Sequence, residues 1–119
     1  MKQERIDYRA FWRHVTNDGK ARCALADAPC HRCGGGGCRR CHGTGKVPCS
    51  PIIDAHHFVP KRRLATIQAK QDVRNGVCLC RDHHDLVEQG YLCSPQPPLL
   101  QFFLSEHGVN PDRVPSAAL

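Results

Sequence analysis

The chain has 119 residues, 17 Lys and Arg against 11 Asp and Glu, a formal charge of +6 and a pI near 9. That length gives room for one small domain, 1–119, whose core is marginal by area alone. No stretch approaches the roughly 20 apolar residues of a membrane span, and MKQERIDYRAFW lacks the apolar centre of a signal peptide, so a cytoplasmic protein with no membrane partner is expected. Nine cysteines and eight histidines without an exported, oxidising setting point to zinc rather than to disulfides. The basic balance suits a polyanionic partner such as nucleic acid.

Taken in order, 1–22 reads as an N-terminal helix and linker. The spacing predicts a helix over 3–15, with Ile6, Ala10, Phe11 and Val15 on one face and Trp12 near it. Asn17-Asp18-Gly19 ends it. Arg5, Arg9 and Arg13 recur every four residues, either as a solvated face or as phosphate contacts. Residues 23–49 hold Cys23, Cys30, Cys33, Cys38, Cys41 and Cys49 in a Gly-rich frame with no hydrophobic periodicity. Such a segment cannot order itself by apolar burial, and metal is the candidate organiser.

Residues 50–90 carry the remaining chemistry. A strand is expected over 50–57, a basic loop over 58–74, a second strand over 77–79 and a helix over 82–89 stopped by Gly90. Residues 91–119 then give a Pro-marked break, a short helix over 99–107 with Leu100, Phe103 and Leu104 on one face, a Gly108 cap and a loose tail. His56 and His57 are adjacent on a strand and so point to opposite faces. His83 and His84 are adjacent on a helix and diverge by about 100°. One member of each pair can hold a divalent ion, while a neutral imidazole can take a proton from water near pH 7. Asn75, on the loop between, can hydrogen-bond backbone and fix its shape.

In the context DAHH and NGVCLCRDHH, the ordered set His56-His57, Asn75 and His84 resembles the HNH endonuclease family over residues 52–90. That resemblance implies a small α+β fold with a ββα-metal core stabilised by structural zinc and flanked by N- and C-terminal helices. It implies a metal-dependent enzyme that nicks or cleaves DNA. His56 and His84 would hold the catalytic ion, His57 would be the general base and Asn75 would orient the loop. Glu88 occupies the place of a third histidine ligand found in colicin-type members, where it would ligate or face solvent. The catalytic ion would be Mg, Mn, Ni, Co or Zn. Lys61, Arg62 and Arg63 would clamp flanking phosphates. Asp54 reads as a strand-end polar residue.

Many members of that family carry a structural zinc between two CxxC pairs, and here His83 stands where the downstream pair has its second cysteine. The favoured set is Cys30, Cys33, Cys80 and His83, with Cys38, Cys41, Cys49 and Cys23 as a second structural site. In the other partition Cys30, Cys33, Cys38 and Cys41 share one ion, leaving Cys23 or Cys49 to join Cys80 and His83. Cys78 and Cys93 read as core thiols. The two abutting CxxCxGxG stretches also resemble the zinc repeats of DnaJ-type cochaperones. The alternative function is therefore a non-catalytic zinc module that binds nucleic acid or a protein client. Small size and the lack of a targeting segment fit phage or mobile-element members that act beside packaging or recombination proteins, in a bacterial host cell.

Overall fold

The computed structural model describes residues 7–110. Its centre is a two-stranded antiparallel sheet, β1 (Ile53–His57) paired with β2 (Gly76–Cys80). Ile53 lies opposite Cys80 and His57 opposite Gly76. Helix α3 (Arg81–Glu88) follows β2 without a loop, which completes a ββα unit. The fold is thus the small α+β arrangement expected from the sequence. No helix of the described residues is long and apolar enough to cross a membrane.

Helix α1 (Tyr8–Val15) ends where the spacing predicts, and residues 3–6 of the expected helix lie outside the described residues. Asp7 caps it, its side chain accepting from Ala10 N at 2.9 Å, which satisfies one of the free amides of the first turn. Arg5 and Ile6 lie outside the described residues. Phe11 is buried and Val15 half-buried as expected, but Ala10 is exposed. Trp12 Nε1 donates to Ile53 O at 2.8 Å and ties the helix to the edge of β1. The strong amphipathic pattern therefore buries one narrow stripe, not the whole predicted face.

The region expected as a basic loop is more ordered than predicted. It holds a single 3-10 turn at Lys61–Arg63, helix α2 (Ile67–Lys70) and a second 3-10 turn at Val73–Asn75. Thr66 caps α2 through Ala69 N at 3.1 Å, and Asp72 caps the second turn through Arg74 N at 3.0 Å. Both are cap residues of the preferred kind, placed too close together for a helical period to show.

Helix α4 (Leu100–His107) ends at Gly108, whose φ of 60° suits a residue without Cβ. Leu100, Phe103 and Leu104 are buried with Phe58, Val59, Leu64, Val77 and Leu79 in the main core. At its far end, His107 and Glu106 meet Asp72 and Arg74, with His107 Nε2 2.8 Å from Asp72 Oδ2. Burial pushes the Asp72 carboxyl up, but hydrogen bonds from Arg74 and His107 outweigh it and hold it at about 2. This network fastens α4 to the turn that carries Asn75.

Residues 23–49 contain turns but neither helix nor strand, as the lack of periodicity predicts. Even so, Cys23, Leu25 and Val47 are buried. Cys78 is half-buried, its thiol directed at Ala21 O. Cys93 is exposed rather than a core thiol, because it sits in the irregular stretch after α3 where no layer covers it.

Candidate metal centres and the cleft between them

All nine cysteines are free thiols. Two groups of four donors converge, and they correct the favoured assignment. Cys30 and Cys33 lie with Cys38 and Cys41, while Cys80 and His83 lie with both Cys23 and Cys49. The reason is local. The two CxxC turns abut, and glycines fold them onto each other. Gly45 has φ 79° and passes so near Gly35 that a Cβ would sit 2.4 Å from Gly35 O. That packing holds Cys30 and Cys33 against Cys38 and Cys41.

Both groups fit zinc by geometry. A tetrahedral ion with Zn–S bonds of about 2.3 Å requires S···S edges of about 3.8 Å. The Cys30–Cys38, Cys33–Cys41 and Cys38–Cys41 sulfurs are each 3.8 Å apart. In the second group His83 Nδ1 lies 3.6 Å from Cys23 Sγ, 3.7 Å from Cys49 Sγ and 3.0 Å from Cys80 Sγ. The electrostatics agree. Burial works against the Cys41 thiolate, but hydrogen bonds from Cys38 N and Gly45 N prevail and bring its thiol down to about 6. Burial and the facing Cys23 and Cys80 push Cys49 up to about 12. Three facing thiols resist joint ionisation until a cation neutralises them.

A third group lies on the ββα unit. His56 sends its side chain toward α3, where His84 and Glu88 face it one helical turn apart. Glu88 Oε1 is 3.5 Å from His56 Nδ1 and 3.3 Å from His84 Nε2, and the three donors lie within 4.8 Å of one another. The His56 side chain is 11% exposed and that of His84 24%, whereas Glu88 at 62% opens to solvent. Burial, reinforced by neighbouring His84, lowers His56 to about 4, so it stands as a neutral donor at pH 7. Two imidazoles and a carboxylate suit a divalent first-row transition ion, Mn included.

His57 points to the other face, toward α1. Its ring stacks on Phe11 with centroids 4.2 Å apart and planes 13° from parallel, and Tyr8 meets its edge. Nε2 lies 2.7 Å from Lys70 O. A carbonyl only accepts, so Nε2 carries the proton and Nδ1 is left with its lone pair. Burial lowers the His57 pKa. Though the two histidines diverge, one cavity of about 750 Å³ is lined by His56, His57, His84, Glu88, Lys61 and Arg62.

Asn75 is fully buried. Its Oδ1 accepts from Val59 N at 2.8 Å, its Nδ2 donates to Val59 O at 3.0 Å, and its own carbonyl accepts from Phe58 N at 2.9 Å. Three bonds thereby fix the two residues that follow His57. Lys61 and Arg62 are exposed at the cavity rim, with Lys61 Nζ 4.3 Å from the Tyr8 ring centroid. Arg63 is exposed beside them. Arg13 pairs loosely with Asp18, and Arg9 is exposed.

Asp54 was not expected to matter. It accepts from Arg81 Nε at 2.9 Å and Arg81 Nη2 at 3.1 Å, and its Oδ2 lies 3.0 Å from His84 Nδ1. The sequence signal is its place two residues before His56, on the same strand face.

A family model described as HNH endonuclease matches residues 30–93, more than half of the chain. No curated protein and no solved structure matches it.

Proposed function

The chain belongs to the HNH endonuclease family, and on that footing we propose that it hydrolyses phosphodiester bonds of DNA, nicking or cutting both strands, with a divalent ion held by His56, His84 and Glu88 and with His57 as general base. The observation that carries this reading is the shared cavity, where three converging metal donors and a separate neutral imidazole meet a basic rim. When bound, the divalent ion supplies Lewis-acid stabilisation of charge on the phosphate and leaving oxygens.

The chain's own residues supply the rest. His57 Nδ1 takes the proton from the attacking water, and the bond to Lys70 O with the stack on Phe11 holds the ring in one tautomer and one plane. Asn75 acts at one remove by fixing Phe58 and Val59, hence the end of β1. Lys61, Arg62 and Arg63 contact phosphates flanking the cut, which positions the strand without reading its sequence. The four-thiolate group and the Cys23–Cys49–Cys80–His83 group hold structural zinc. The second of these anchors the first turn of α3 beside His84.

The test is a supercoiled plasmid incubated with protein stripped of loosely held metal and then given Mg, Mn, Co, Ni or Zn. At least one ion should relax or linearise it. His57→Ala should lose cleavage while keeping its zinc and its melting curve, because the base holds no metal. If no ion supports cleavage and plasmid binding is the same with and without His57, the chain is instead a zinc module that binds nucleic acid.

A further inference from the structure

We propose that Asp54, itself held by Arg81, is the positioning residue that selects which nitrogen of His84 faces the catalytic ion. The inference rests on the preceding reading of His84 as a ligand. Oδ2 of Asp54 stands 3.0 Å from His84 Nδ1, and a carboxylate oxygen can only accept there. Glu88 Oε1 competes for the proton of the neutral ring from the Nε2 side, but it is farther away at 3.3 Å and 62% exposed against 19% for Asp54, so Nδ1 carries the proton and the lone pair is left on Nε2. A ligating histidine whose other nitrogen donates to a carboxylate is fixed in tautomer and ring angle and becomes a better donor.

Asp54 is itself immobilised. Arg81 grips both carboxylate oxygens in a fork, Nε on Oδ2 and Nη2 on Oδ1. The backbone repeats the attachment, since Arg81 N donates to Ile52 O at 2.8 Å. Asp54 lies on β1, Arg81 and His84 on α3, so the fork and the imidazole bond together set the distance between strand and helix at the point where His56 and His84 face each other with ring centroids 5.1 Å apart. The Asp54 side chain is 19% exposed, which keeps water from competing freely for the same oxygens.

Two measurements on the full-length, zinc-loaded protein test this. In the first, Ni²⁺ is titrated calorimetrically into wild type, Asp54→Ala and Asp54→Asn. Asp54→Ala should weaken binding by about 10–100-fold, and Asp54→Asn should fall between, because its amide oxygen still accepts from Nδ1 but carries no charge. Zinc content and melting temperature should stay near wild type in Asp54→Asn. In the second, ¹⁵N imidazole shifts of the zinc-loaded protein with no ion added to the third centre report the tautomer of the neutral His84 ring. Wild type should be Nδ1–H and Asp54→Ala should turn toward Nε2–H. Wild-type affinity in both variants, or an unchanged tautomer in Asp54→Ala, overturns the proposal. If wild type itself binds no Ni²⁺ beyond its zinc, the reading of the metal centre fails, while the tautomer comparison still decides what Asp54 does.

Discussion

On the proposed reading, Glu88 is the residue that sets which ions the third centre would prefer. It is the exposed member of the group, and it brings an oxygen and a negative charge where a third imidazole would bring a nitrogen. Carboxylates favour Mn and Mg relative to imidazole, which favours Ni, Cu and Zn. Glu88→His should therefore tighten Ni²⁺ and weaken Mn²⁺, shifting the ratio of their dissociation constants by about tenfold or more, or about 1.4 kcal/mol. Calorimetric titration of the two ions reads that ratio, and no change would show that Glu88 stays in solvent. Asn75 gives a second prediction. Asn75→Ala leaves the buried amide and carbonyl of Val59 unpaired, at about 1–3 kcal/mol each. Its urea midpoint should fall accordingly, and cleavage should fall further than the loss of folded protein explains. At this scale the sequence was readable where strand alternation or helical spacing dictated direction, as for His56 against His57. It was silent on Asp54, whose partners sit 27 and 30 residues away and become neighbours only once α3 docks on β1.

Helix α1 lies before the family-matched stretch, yet it forms the wall behind His57. Its close seat depends on Gly76, the β2 residue opposite His57. A Cβ there would stand 2.2 Å from Val15 Cγ2 and 3.1 Å from Phe11 Cζ, so the glycine is required by space and not by its φ of −93°. Gly76→Ala should cost about 1–3 kcal/mol by overpacking. Val15→Ala in the same chain should recover part of that loss. A double-mutant cycle on urea melts measures the coupling, and additive costs would mean that α1 packs elsewhere. Element by element, β2, α3 and α4 fall within a residue or two of their predicted ends, and a following glycine marked the close of each helix. Helix α2 was hidden by its four-residue length.

Across the described residues, order comes from two sources that meet at Cys23 and Cys80. One is the apolar core around Phe58, Leu79 and Phe103. The other is the pair of cysteine groups, which converge within a segment with no regular elements and tie it to the start of α3. On the proposed zinc sites, removing the metal with a strong chelator should cost far-UV circular dichroism no more than the first turn of α3, since residues 23–49 contribute neither helix nor strand. Amide resonances from 28 to 48 should collapse toward random-coil positions. A large far-UV loss would instead show that the ββα unit also depends on metal. The presence of these groups was legible from cysteine spacing. Their partition was legible only as the second of two alternatives, because the choice turns on how two glycine turns nest, which spacing does not encode.

His83 and His84 have a mechanical consequence. They are consecutive on α3, and they reach in different directions, one to the Cys23–Cys49–Cys80 thiols and the other to His56, Glu88 and Asp54. A rod pinned at a single point can still spin about its axis. Pinned at two neighbouring points about 100° apart, it can neither spin nor slide without breaking one of them. Helix α3 behaves as a keyed shaft, so its angular setting is fixed before any nucleic acid arrives, and none of the binding energy is needed to turn it into place.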